Sequence, residues 1–218
     1  MENLTIPKNY FLIEVEKPYE DTFNVNGVEL KLNILYEPLK HARQYGVVYK
    51  VPEWLPEGLD FDVKVGDKVY FHHLITANSG NLNISKEFGT SSWKDYESEH
   101  LFKLEEGKEN IYKVHWQYIY ARVRGEDVKM LHHWNFVEQK TETEDDIKSK
   151  TGIYIKSSKD DISLYGYIRH LSDWMKEQNV KEGDEVVFST NSEYEMKIEE
   201  KKLMRMRNID ILAKVEDA

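Results

Sequence analysis

Short apolar runs bounded by turn formers recur along the chain. Tyr10–Val15 (YFLIEV), Gly46–Val51 (GVVYKV), Lys68–Phe71 (KVYF) and Tyr118–Val123 (YIYARV) are rich in β-branched and aromatic residues with partial period-two alternation. Tyr167–Leu171, Glu185–Phe188, Leu203–Arg207 and Ile209–Val215 share this pattern, so all eight predict strands. Gly66-Asp67 and Gly183-Asp184 stand just before two of them, where turn residues belong. Only Ser172–Glu177 and the neighbourhood of Trp93–Leu101 admit a short helix. The pattern predicts an all-β chain with strands at small-barrel spacing.

The pattern also repeats. With Gly46 set on Gly166, Trp54 falls on Trp174, and VGDKVYF (Val65–Phe71) meets EGDEVVF (Glu182–Phe188). Upstream, Asn26-Gly27-Val28-Glu29-Leu30 resembles Thr151-Gly152-Ile153-Tyr154-Ile155; downstream, Arg122–Val128 (RVRGEDV) is set against Arg205–Ile211 (RMRNIDI). Four blocks in one order predict a tandem of two related domains, 1–130 and 131–218, joined near Lys129–His133 without a Pro, Gly or Ser linker. The first carries an insertion at about 74–110, polar and rich in Gly, Ser and Asn.

Composition narrows the function. Aromatic residues make up 12% of the chain, which argues against disorder, and the formal charge of −10 shows no basic stripe for nucleic acid. The absence of cysteine removes a disulfide framework and a thiol nucleophile and agrees with a cytoplasmic protein. MENLTIPKNYF lacks a signal-peptide pattern, and no apolar run approaches a membrane span, so no membrane partner is expected. His72-His73 and His132-His133 are adjacent pairs whose side chains point to opposite faces of a strand, so neither pair chelates alone, and no metal or other cofactor is expected. There is no H-E-x-x-H, no phosphate-binding Gly-rich loop and no G-x-S-x-G, so no enzymatic function is expected. Trp54 and Trp174 are expected to pack into the cores.

The C-terminal run Asp210-Ile211-Leu212-Ala213-Lys214-Val215-Glu216, the segment Asp62–Phe71 (DVKVGDKVYF) and the opening Leu131–Gln139 (LHHWNFVEQ) together resemble the ten-kilodalton co-chaperonin (GroES) family. Ile6–Glu16 (IPKNYFLIEVE) supplies a matching opening for the first copy. The resemblance implies two tandem GroES-like, partly open β-barrels with long mobile loops. It further implies a ring that caps a GroEL-type, ATP-driven chaperonin and assists folding. The ring is either homo-oligomeric or mixed with a single-barrel co-chaperonin. Mobile-loop contact is carried over to Gly27, Val28, Glu29 and Leu30 and to Gly152, Ile153, Tyr154 and Ile155. Glu29 and Tyr154, and Asn26 and Thr151 in place of the first Gly, depart from the family's Gly-Gly-Ile-Val-Leu type motif.

Apolar residues at i and i+2 of an extended triplet share one face, which suits an apolar groove. Burying two of them yields roughly 3–6 kcal/mol. Ordering five loop residues costs about 5–10 kcal/mol. One loop alone therefore binds weakly, and several on a ring bind usefully. The plain alternative for Val28–Tyr36 (VELKLNILY) is an ordinary paired strand. The alternative function keeps the fold as a ring- or particle-forming structural module, such as a viral one, that does not bind a chaperonin. Zinc-dependent alcohol dehydrogenases also use a GroES-like domain, but this chain has no Cys, no G-x-G-x-x-G and no room for a dinucleotide-binding domain.

Overall fold

A computed structural model describes residues 6, 8–19, 22–31, 41–59, 61–77, 98, 100–102, 110–140, 164–190, 194–198 and 201–215. The chain divides into two compact units, Met1–Val128 and Lys129–Ala218. Strands dominate: β1 (Tyr10–Glu14), β2 (Thr22–Val25), β3 (Val28–Lys31), β4 (Tyr45–Lys50), β5 (Lys68–Phe71), β6 (Ile111–His115), β7 (Ile119–Arg124) and β8 (Asp127–Met130) come first. Then come β9 (Trp134–Gln139), β10 (Tyr165–His170), the helix α1 (Asp173–Glu177), β11 (Glu185–Phe188), β12 (Tyr194–Ile198), β13 (Lys201–Arg207) and β14 (Ile211–Lys214). The protein is all-β, with two six-stranded antiparallel sheets ordered β6-β1-β4-β5-β7-β8 and β12-β13-β9-β10-β11-β14, and a separate pair β2-β3. No helix among the described residues is long and apolar enough to cross a membrane.

Five consecutive strands correspond: β6-β1-β4-β5-β7 matches β13-β9-β10-β11-β14. The repeated glycines have a steric cause. A Cβ on Gly46 would lie 2.6 Å from the Glu14 carbonyl oxygen and 2.7 Å from Ile13 Cγ2, and one on Gly166 2.6 Å from Val137 Cγ1 and 2.7 Å from the Glu138 oxygen. Only glycine lets β4 approach β1, and β10 approach β9, this closely. The Gly-Asp turns are equally matched. Gly66 and Gly183 have φ of 90° and 91°. The Asp67 and Asp184 carboxylates each accept a backbone N–H at 2.8 Å, from Lys64 and Lys181. The Gly66 N–H donates to the Val48 oxygen at 2.8 Å, and that of Gly183 to the Ile168 oxygen at 2.7 Å, so each turn is stitched to the neighbouring strand.

Register corrects one block of the sequence alignment. Phe71 lies opposite Ile119 and Tyr70 opposite Ala121, while Phe188 lies opposite Ile211 and Val187 opposite Ala213. Ile119-Tyr120-Ala121-Arg122-Val123 therefore corresponds to Ile211-Leu212-Ala213-Lys214-Val215, not RVRGEDV to RMRNIDI.

In the first unit β1 is buried on both faces; Leu12 packs with Ile6 and Ile111 in a cluster of their own. In the second, Val137, Ile168, Val186, Phe188 and Met206 form the core, with Leu171 and Met175 supplied around α1. Ser172 caps α1, its Oγ accepting the Met175 N–H at 3.3 Å. The same hydroxyl donates to Asn208 Oδ1 at 2.8 Å, and Asn135 Oδ1 accepts the Ser172 N–H at 2.8 Å, so a buried polar knot joins β9, α1 and the turn before β14. The helix expected at Ser172–Glu177 is thus present; that near Trp93–Leu101 falls mostly on residues outside those described.

Both tryptophans depart from expectation: Trp54 and Trp174 are exposed. Trp54 lies between β4 and β5 with the Lys8 ammonium 5.1 Å above its ring. Helix α1 is a single turn, and its one buried side chain is Met175, which leaves Trp174 facing solvent.

Candidate partner-binding hairpin

The first expected contact loop leaves the sheet between β1 and β4 through a closed neck. Tyr19 and Ala42 form an antiparallel bridge, and the Arg43 N–H donates to the Pro18 oxygen at 2.9 Å. Arg43 Nη1 donates to Glu16 Oε2 at 3.1 Å, and the Glu16 carbonyl accepts from Asn110 Nδ2 at 3.2 Å. The neck is therefore fixed on three sides before the loop begins.

Within the loop, β2 and β3 pair with each other and with neither large sheet. The connection is Asn26-Gly27, with φ of 51° and 84°. Positive φ at both central residues is the signature of the type I′ turn, whose twist matches that of antiparallel strands. Register sets Val25 opposite Val28 and Phe23 opposite Leu30, and Val28 and Leu30, two apart on one strand, share one face of the ribbon. Val28 is 59% exposed and Leu30 41% exposed. The expected contact residues Gly27, Val28, Glu29 and Leu30 are thus brought together as the turn and second arm of a hairpin, the plain strand pairing rather than an irregular loop.

The second expected loop leaves at the corresponding place, between β9 and β10. Its base is closed by the Lys140 N–H donating to the Tyr165 oxygen at 2.9 Å and by Lys140 Nζ on Glu185 Oε1 at 2.6 Å. Glu185 holds the Lys140 ammonium above its usual range. Gly152, Ile153, Tyr154 and Ile155 lie outside the described residues.

The Gly-Asp turns before β5 and β11 are pinned by charge. Arg124 forms a two-pronged pair with Asp67, Nε to Oδ1 and Nη2 to Oδ2, both 2.8 Å, and holds that carboxyl below its ordinary value. Lys214 Nζ makes a single contact to Asp184 Oδ2 at 2.6 Å and likewise holds that carboxyl below its ordinary value.

Two histidines serve the backbone. His72 Nδ1 accepts the Leu74 N–H at 3.1 Å and His115 Nδ1 that of Gln117 at 3.4 Å, each capping a 3-10 turn. His72 and His73 stack at 4.4 Å instead of pointing to opposite faces, because they lie past the end of β5 at the start of a 3-10 turn. Among the described residues no three His, Cys, Asp or Glu side chains converge as a metal site. The sequence shows Ile209, Leu212 and Val215 as part of a strand, and the last two within the family-like C-terminal run, but not that all three are exposed.

Residues 127–215 match the family model described as the chaperonin 10 Kd subunit. No curated protein matches the chain.

Proposed function

We propose that the protein is a co-chaperonin built from two copies of one domain, a lid for a GroEL-type chaperonin that assists protein folding and carries out no catalysis of its own. The match of residues 127–215 to the chaperonin 10 Kd family carries this conclusion. The first unit is read as a second, diverged copy because it shares the five-strand order, the close-approach glycine and the Gly-Asp turn. In both units a loop leaves between the first sheet strand and its next partner, through a base closed by backbone hydrogen bonds. In this reading the loops contact the chaperonin, through Val28 and Leu30 in one and Ile153 and Ile155 in the other, and the two barrels work in the cytoplasm as part of a closed ring, alone or mixed with a single-barrel co-chaperonin.

Native mass spectrometry of the protein with a GroEL-type chaperonin and ADP tests the proposal. A complex that forms with the wild type and is lost on Ile153→Ser with Ile155→Ser supports it; no association with ADP or ATP overturns it. One observation favours the structural-module alternative: the first contact segment is a formed hairpin, and Glu29 interrupts its apolar triplet.

A further inference from the structure

The segment inserted between β5 and β6 has both its ends bonded to the neck of the first loop. After β5 the chain passes through the 3-10 turn His73–Ile75 to Thr76, which is 2% exposed. The Thr76 hydroxyl donates to the Arg43 carbonyl at 2.7 Å. Thr76 is buried, so water cannot replace this bond if the hydroxyl is removed. On the return, Ser98 Oγ donates to the Ile75 carbonyl at 2.7 Å and closes the base of the insert. Leu101 then bridges Tyr112, and the Phe102 N–H donates to the Ile111 oxygen at 2.7 Å. Asn110 is the last anchor. Its carbonyl accepts the Val15 N–H at 2.9 Å, and its Nδ2 donates to the Glu16 carbonyl at 3.2 Å.

Arg43 is the hub of this junction. Its N–H is held by Pro18 and its carbonyl by Thr76. Its guanidinium donates to Glu16 and lies 5.0 Å from the centre of the Tyr45 ring. Neither strand of the neck can swing without breaking a bond to an end of the insert. Residues 20 and 21 alone separate Tyr19 from Thr22, so β2 begins at most about 11 Å from the neck. The neck therefore sets where the hairpin starts. The second unit is built otherwise. Tyr10 opposite His115 and Trp134 opposite Arg207 put Lys202 in the place of Asn110. The Lys202 ammonium pairs with Glu195 of β12 at 3.0 Å. We propose that Arg43, Thr76 and Asn110 are positioning residues: through them the ends of the insert brace the neck and set the direction in which the hairpin presents Val28 and Leu30 to its partner. The choice of partner rests on the lid reading; the brace rests on hydrogen bonds within the first unit.

Because the chain has no cysteine, Glu29→Cys with Val65→Cys places one spin label on the hairpin and one on the exposed turn before β5. Pulsed dipolar spin resonance then reads the distance between them with no chaperonin present. A narrow distribution is expected in the full chain. It should broaden with Thr76→Val and with Asn110→Ala, and stay narrow with Thr76→Ser, which keeps the hydroxyl. Val123→Ala controls for lost stability: it removes buried methyl groups opposite Lys68, at the other end of β5. It should lower the melt and leave the distances as they were. In an unlabelled chain titrated with a GroEL-type chaperonin, Thr76→Val and Asn110→Ala should each weaken binding roughly five-fold, the equivalent of one hydrogen bond. A distribution already broad in the parent, or unmoved by both changes, overturns the proposal. So does broadening that Val123→Ala matches, or broadening with binding unchanged. A parent that binds no chaperonin overturns the lid reading and with it the partner, while the distances still decide the brace. Should Thr76→Val fail to fold, Asn110→Ala decides.

Discussion

Gly46 and Gly166 are the residues at which the smallest change should do most harm. An added methyl meets backbone oxygen at 2.6 Å and 2.7 Å, which a side-chain rotation cannot relieve. Gly166→Ala is expected to lower stability by about 1–3 kcal/mol in a denaturant titration, the usual effect of overpacking. His132 gives a pH signature. Burial, with a smaller contribution from His133, lowers its pKa from 6.5 to about 4. The unfolded chain then binds the proton more readily, so this contribution is full above about pH 6.5 and is lost as pH falls toward 4. Asp184, depressed chiefly by its bond to Lys214, loses its contribution only below its ordinary 3.8. Melts between pH 7 and 4 should therefore show a falling stability that His132→Asn makes shallower, the remainder coming from His115 and His133, which burial also depresses. Asparagine tolerates the φ of 57° found there. The glycines were legible in sequence because spacing repeats them. Their cause was not, since it depends on atoms of β1 and β9.

At the scale of elements, the runs around β1, β4, β5, β7, β10, β11, β13 and β14 are legible because apolar residues crowd them. Strands β8 (DVKM) and β12 (YEMKI) escape notice: each mixes charge with apolar residues, and β12 buries only alternate positions, Met196 and Ile198. The Asn26-Gly27 dipeptide is the strongest short hairpin signal, yet the hairpin β2–β3 was not read from it, because the family resemblance assigned the same residues to a contact loop. The misplaced block RVRGEDV shows the limit of local likeness, since only the pairing of Phe71 with Ile119 and of Phe188 with Ile211 sets the correspondence. Gly27→Ala forces a side chain into the left-handed region at about 1–2 kcal/mol. Amide exchange across residues 22–31 should then speed up roughly ten-fold while the large sheets keep their protection. Ser172→Ala removes both a helix cap and a bond to Asn208, and a loss of about 1–2 kcal/mol is expected in thermal melts.

For the whole molecule, the two loops are expected to act together. Val28→Ser with Leu30→Ser, and Ile153→Ser with Ile155→Ser, should each weaken chaperonin binding in a titration, and the four changes combined should abolish it, as linked weak contacts require. The family match covers residues 127–215, and the first unit shares with the second mainly strand order and turns. That is why the candidate site was legible as a position in the chain and less so as a geometry. The neck at Tyr19 and Ala42 has a further consequence. A chain that departs and returns across a single antiparallel pair enters and exits within about 5 Å. Whatever lies between can be lengthened or exchanged at a penalty that grows only with the logarithm of its length. The segment is a cassette: its contents can be changed to suit a partner while the sheet beneath keeps its sequence.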